Sequence, residues 1–232
     1  EALARVTPID PASPVDMTGL CLILGAMGFL AAPILFPGAG LDPNETAVPA
    51  IDYLTLIAQA VTFVLIAYAA VGWRIVRDGR AATERLGIVV PDLRTLGYGV
   101  GAVPVALVLA AAINALAATL QPGLAEELDA IVDQMTGQLQ NPVGALLIGI
   151  SAGVGEEALV RGALQPRLGI GLVSIFFPLL HAPQYGLNLA IVGLIAIAVL
   201  LGLLRARVNT TAAMIAHGLY NAVVVMLQTV AF

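Results

Sequence analysis

The sequence predicts an all-α fold, a polytopic transmembrane helix bundle of about seven spans plus one amphipathic helix, and three observations predict it. Of 232 residues, 59% are hydrophobic and 11% charged, against about 25% charged in an ordinary soluble domain. The mean hydropathy is +0.97. The charges are bunched, leaving uncharged stretches at Met17 to Leu41, Tyr53 to Trp73, Thr95 to Ala125, Gln134 to Gly155, Leu168 to Leu204 and Val208 to Phe232. Each can hold a membrane helix of about 20 residues, and the fifth can hold two. Finally, the ten basic residues are all Arg and, apart from Arg5 in the N-terminal arm and Arg161 towards the end of the fourth span, fall in alternate connections.

A polar, Pro-containing arm covers 1–16. Spans follow at about 17–36, 51–73, 97–119, 142–166, 169–183, 187–204 and 209–230, so that 17–141 form an N-terminal group and 142–232 a C-terminal one. The first apolar run is too long for the h-region of a signal peptide, and none is expected. Pro37 to Asp52 carries Asp42, Glu45 and Asp52 but no Arg, and Leu120 to Asn141 is again acidic without Arg, whereas Arg74, Arg77, Arg80, Arg85 and Arg94 share one connection. The positive-inside rule then gives a cytoplasmic N-terminus, a cytoplasmic 74–94 loop and a C-terminus on the far side. Between 122 and 138, Leu124, Leu128, Ile131, Val132 and Met135 recur at helical spacing among Glu126, Glu127, Asp129 and Asp133, the pattern of an amphipathic helix on the far surface. With the single cysteine Cys21, neither an intrachain disulfide nor a cysteine metal cluster can form, and no basic patch suits nucleic acid. The absence of Lys and the Ala/Arg richness suit a GC-rich bacterial genome, and so a bacterial inner membrane.

Ionisable groups inside membrane spans cost several kcal/mol, by estimates that differ widely, and each is a functional candidate by default. Here they are Glu156, Glu157 and Arg161 on the fourth span, His181 on the fifth and His217 on the seventh, with Asn221 one turn beyond. Glu157 and Arg161, like His217 and Asn221, are four residues apart and share a helix face. Glu156 is turned by about 100° from Glu157 on a regular helix, so the two carboxylates face different surroundings. A carboxylate near an imidazole can deprotonate a water, and His with Asn can donate hydrogen bonds to an oxyanion, which suffices for acyl-transfer hydrolysis. Ser151 lies in GISAG on a continuous membrane helix rather than on a strand-to-helix elbow, and helix packing accounts for it better than nucleophilic catalysis. Asn114 reads as an interhelical amide, and Gln184 and Asn188 as loop-end residues or contacts to substrate backbone. Pro178 and Pro183 should interrupt the fifth helix near His181.

Three motifs carry a resemblance over about Pro142 to Phe232. GEEALVRGALQPRLG at Gly155 to Gly169, FPLLH at Phe177 to His181 and HGLYN at His217 to Asn221 resemble the EExxxR, FxxxH and HxxxN motifs of the CPBP (Abi) family, which includes the Ras-converting type II CAAX prenyl endopeptidases. The resemblance implies that Glu156 activates water with help from His181, that His217 and Asn221 stabilise the oxyanion, and that Glu157 and Arg161 orient the first motif. It further implies cleavage near the cytoplasmic membrane surface, in prenylated CAAX-type C-termini, leader peptides or other membrane proteins. The expected partners are therefore a peptide or protein substrate, lipidated or not, and the bilayer. Seven spans are one fewer than the eight expected of the prenyl proteases.

No cofactor is expected and no metal; two His and two Glu leave zinc as the less favoured alternative, since H-E-x-x-H is absent. Two rival readings of the same residues are a transporter with a buried Glu/His site and a catalytically idle membrane scaffold. Paired broken helices or inverted repeats would favour transport, and none is detectable.

Overall fold

Segments this apolar must satisfy their backbone hydrogen bonds internally wherever lipid replaces water. The computed structural model describes residues 9–35 and 50–230, without the side chains at 23, 26, 27, 29–35 and 230, and these residues are helical apart from turns and one isolated bridge between Trp73 and Arg77. Residues 1–8 of the predicted polar arm and 36–49 of the first acidic connection lie outside the described residues. In chain order the helices are α1 (Pro14–Leu35), α2 (Tyr53–Ala70), α3 (Gly79–Leu86), α4 (Leu93–Leu120), α5 (Leu124–Thr136) and α6 (Pro142–Ile150). Two π-helical stretches follow, Ser151–Glu156 and Ala158–Leu164, and then α7 (Gln165–Leu179), α8 (Ala182–Tyr185), α9 (Leu189–Arg207) and α10 (Thr210–Val230).

Short polar side chains start these helices by accepting from N–H groups that have no intrahelical partner. Asp52 accepts from Thr55 N at 2.7 Å, Asp92 from Thr95 N at 2.7 Å, and Asn141 from Gly144 N at 3.0 Å. The region read from sequence as a loop between Arg74 and Arg94 contains α3, capped by Asp78 and closed by Gly87 in the left-handed conformation (φ 70°). The predicted amphipathic segment is α5, with Leu124 and Met135 buried while Glu126, Glu127, Asp129 and Asp133 are exposed.

Among the described residues, five helical segments are long and apolar enough to cross a membrane: Tyr53–Ala70, Leu93–Leu120, Pro142–Leu179, Leu189–Arg207 and Thr210–Thr229. Seven spans are not shown. The predicted spans 142–166 and 169–183 fall on one 38-residue run, Pro142–Leu179, whose only non-helical residue is Gly169 (φ 80°, ψ 167°). The run is thus two helices joined across a kink at that one glycine, which falls where the predicted spans divide, with no loop between them. The first predicted span falls on α1, much of whose side-chain set lies outside the described residues.

Pro142–Leu164 is the central element: α2 and α10 pack along it, α10 also packs on α4, and α9 packs on α7 and α4. Small residues set this closeness. A Cβ on Gly153 would lie 2.6 Å from Met214 O and 2.9 Å from Gly218 Cα, and one on Gly155 would lie 3.0 Å from Ala60 Cα, the close approach that packs membrane helices when no hydrophobic drive separates protein from lipid. The two ends of the bundle differ in chemistry. At one, Arg94 donates to Arg207 O (3.1 Å), Asn209 to Thr95 Oγ1 (2.9 Å) and Arg167 to Ala70 O (3.1 Å). At the other, Gln138 donates to Ile51 O (3.1 Å), Asn141 to the Tyr53 hydroxyl (3.0 Å) and Leu189 N to Gln121 Oε1 (3.0 Å).

Candidate active site

The central element departs from α-helical geometry where the acidic pair lies. Glu156 ends the first π-helical stretch, Glu157 links it to the second, and Arg161 lies within the second. Such i→i+5 stretches are rare in proteins and concentrate at functional sites. The sequence reading of 142–166 as a continuous α-helix is corrected accordingly.

The two neighbouring carboxylates have separate partners. Glu157 is fully buried and lies between two cationic or ionisable groups: its Oε2 is 3.2 Å from Arg161 Nε and its Oε1 is 2.9 Å from His217 Nδ1 on α10. The Arg161 contact is an ion pair without hydrogen-bond alignment, and Arg161 Nη1 has no hydrogen-bond partner among the described residues. Charges buried to this degree are tolerated when paired, and removal of one partner is the costly event. Glu156 instead accepts a hydrogen bond from Gln59 Nε2 of α2, at 3.3 Å.

Glu156, Glu157, Arg161, His181 and His217 line one cavity of about 50 Å³, with Phe177 and Pro178 beside His181 and an apolar wall from α9 made by Leu194, Ile197, Ala198 and Leu201. The volume is enough for more than one water molecule among polar partners. His181 follows α7 at the turn before α8, where Pro178 and Pro183 shorten the local helices. Its ring meets Phe177 edge-on (centroids 5.4 Å apart, 77°) and stacks on Tyr185 (6.3 Å, 2°), and its Nδ1 has no hydrogen-bond partner among the described residues.

Of the residues singled out from sequence, Asn221 is half-buried one turn beyond His217 and is not among those lining the cavity. Ser151 is buried and does not line it either. Asn188 caps α9 through Ala190 N (2.9 Å), a loop-end role, and Asn114 is exposed. Sequence reasoning passed over Gln59 and Tyr185. The available signal for Gln59 was its being the one amide in Tyr53–Ala70, and for Tyr185 its four-residue spacing from His181.

Zinc is tested by the donor set. Among the described residues no three His, Cys, Asp or Glu side chains are grouped as ligands of a metal ion, and Glu157 is engaged by Arg161 and His217. These residues do not fit a metal site as arranged.

The family model of the type II CAAX prenyl endopeptidases, Rce1-like, matches residues 138–223, which include the cavity-lining motif residues and Asn221 but not Gln59. No match was found among the curated proteins or among the solved structures. This match, set on an apolar helical bundle with a buried polar cluster, likens residues 138–223 to an Rce1-like type II CAAX prenyl endopeptidase domain.

Proposed function

We propose that this protein is an intramembrane endopeptidase of the glutamate/histidine type, with the chemistry in 142–232 and 17–141 as its helical scaffold. The observation that carries the reading is the cavity in which Glu156, His181 and His217, from three separate elements, border a space fit for water inside an apolar bundle. In the proposed reaction Glu156 takes a proton from water, assisted by His181, and the water oxygen bonds to the peptide carbonyl carbon. With Nδ1 directed to Glu157, His217 has Nε2 left for the substrate, and as imidazolium that nitrogen donates to the oxyanion. Asn221, one turn along α10 and outside the cavity lining, is assigned as the second donor on the resemblance of HGLYN to the HxxxN motif. The proton on Glu156 then passes to the amide nitrogen, the C–N bond breaks, and a carboxylic acid and an amine leave. Arg161 and Glu157 hold His217 in orientation.

The substrate proposed is a peptide segment reaching the membrane, with prenylated CAAX-type C-termini the first class to try because the family model is that of the CAAX prenyl endopeptidases. The Arg-rich end is taken to face the cytoplasm; labelling of Arg80→Cys in intact cells by a membrane-impermeant maleimide would contradict that orientation. The function is tested with detergent-purified protein and a quenched CAAX-type peptide, with and without its prenyl group. Wild type should cleave, Glu156→Gln should lose about 10²- to 10⁴-fold in rate, His181→Ala should be impaired as well, and a zinc chelator should leave the wild-type rate unchanged. Persistent cleavage by Glu156→Gln would sink the mechanism.

A further inference from the structure

The site is not completed by the family-matched segment alone. Gln59 lies on α2, outside residues 138–223, and is the one amide in an otherwise apolar span. An amide at membrane depth tends to find a hydrogen-bond partner, and this one donates to Glu156 Oε1 (3.3 Å) across 97 residues of sequence. The contact is prepared by its neighbours: Gly155 faces Ala60 so closely that a Cβ would sit 3.0 Å from Ala60 Cα, which draws the α2 backbone up to the central element one residue away from each partner. Glu156 Oε2 has no protein hydrogen-bond partner among the described residues, so the two oxygens of Glu156 are made unequal.

We infer that Gln59 is a positioning residue for Glu156, holding Oε1 so that Oε2 is the oxygen presented to the cavity. The inference rests on the reading of Glu156 as the general base. An amide donor to a carboxylate also fixes its plane, which matters because a proton acceptor has to be within hydrogen-bond reach of the water it deprotonates.

The test compares wild type, Gln59→Leu, Gln59→Asn and Glu156→Gln, each as the full chain in detergent. Infrared difference spectra of wild type against Glu156→Gln isolate the carboxylate stretching bands of Glu156 with no substrate present. Those bands should shift in frequency in Gln59→Leu; bands identical to wild type overturn the inference. In the cleavage assay Gln59→Leu should lose roughly tenfold to hundredfold in kcat with KM unchanged, the effect of deleting one hydrogen bond to a charged group, and Gln59→Asn should fall between. Wild-type kcat with lowered thermal stability would mark Gln59 as a helix staple and also overturn it. If Glu156→Gln cleaves as well as wild type, the general-base reading fails by itself, and the infrared comparison still decides whether Gln59 holds Glu156.

Discussion

Pro142–Leu179 and α4 are both apolar and both longer than one membrane crossing requires, yet 61% of the residues in the apolar stretch of the first are buried against protein and only 22% in the second. The outer face of α4 presents Val100, Val105, Val108 and Leu116, all exposed in the isolated chain, as a surface for lipid. The central run is wrapped by α2 and α10. That difference explains where the charges are. Glu156, Glu157 and Arg161 sit on the helix that protein surrounds, where each can find a polar partner, and α4 from Thr95 onward carries none. Burial in protein, rather than apolar composition, is what permits a reactive group at membrane depth.

The sharpest way to break this comparison is to remove one charge from the core. Arg161→Leu leaves Glu157 fully buried with His217 as its remaining partner, and the expected loss is about 3–5 kcal/mol of stability. The double variant Glu157→Leu/Arg161→Leu should recover much of it, because no uncompensated charge is left. Thermal unfolding in detergent measures both. A single-variant loss no greater than that of a lipid-facing control such as Val108→Leu would show that Glu157 does not depend on Arg161 for its charge to be tolerated inside the protein.

A smaller effect separates glycines in the two regions. Gly153→Ala drives a methyl group against Met214 O and Gly218, and should cost about 1–3 kcal/mol by overpacking while moving α10, and with it His217. Gly101→Ala on α4 meets nothing within 4 Å and should be neutral or stabilising by about 0.5–1 kcal/mol, since it relieves the helix of a flexible residue. Equal effects from the two substitutions would mean that α10 and the central run are not held by close backbone approach.

The same contrast sets what the sequence could reveal. Charges among apolar residues are conspicuous, so Glu156, Glu157, Arg161, His181 and His217 could be picked out before any fold was known, and all five line one cavity. The period of Leu124, Leu128, Ile131, Val132 and Met135 likewise located α5. Three features were not legible. The π-helical stretches change hydrogen-bond register without changing residue type, and a run such as SAGVGE reads equally well as small-residue packing. The charges from Glu156 to Arg167 divide Pro142–Leu179 into two apolar runs, but that one non-helical residue, Gly169, joins the two helices depends on a backbone conformation that residue type alone does not specify. Gln59 acquires its meaning only from a contact with Glu156 on another element, and a lone amide in a membrane helix resembles Asn114, which is exposed.

The smallest expected effect lies at the ends of the peripheral helices, where water returns. Asp52 caps α2 and Asp92 caps α4; the Thr55 hydroxyl and N–H hold the first carboxyl below the ordinary aspartate value, and the Thr95 hydroxyl and N–H do the same for the second. A folded-state value depressed below the unfolded one gives stability that is present above the unfolded value of 3.8 and is lost as the pH falls through the folded value. Both groups are fully exposed, so salt should weaken the effect further. The thermal midpoint in detergent should therefore decline slightly on acidification below the ordinary aspartate range. Asp52→Asn/Asp92→Asn should flatten that part of the decline while keeping the caps, because an asparagine oxygen accepts the same N–H bond without ever taking up a proton. If the double variant declined with acid as steeply as wild type, the sensitivity would belong to the buried centre rather than to the helix ends.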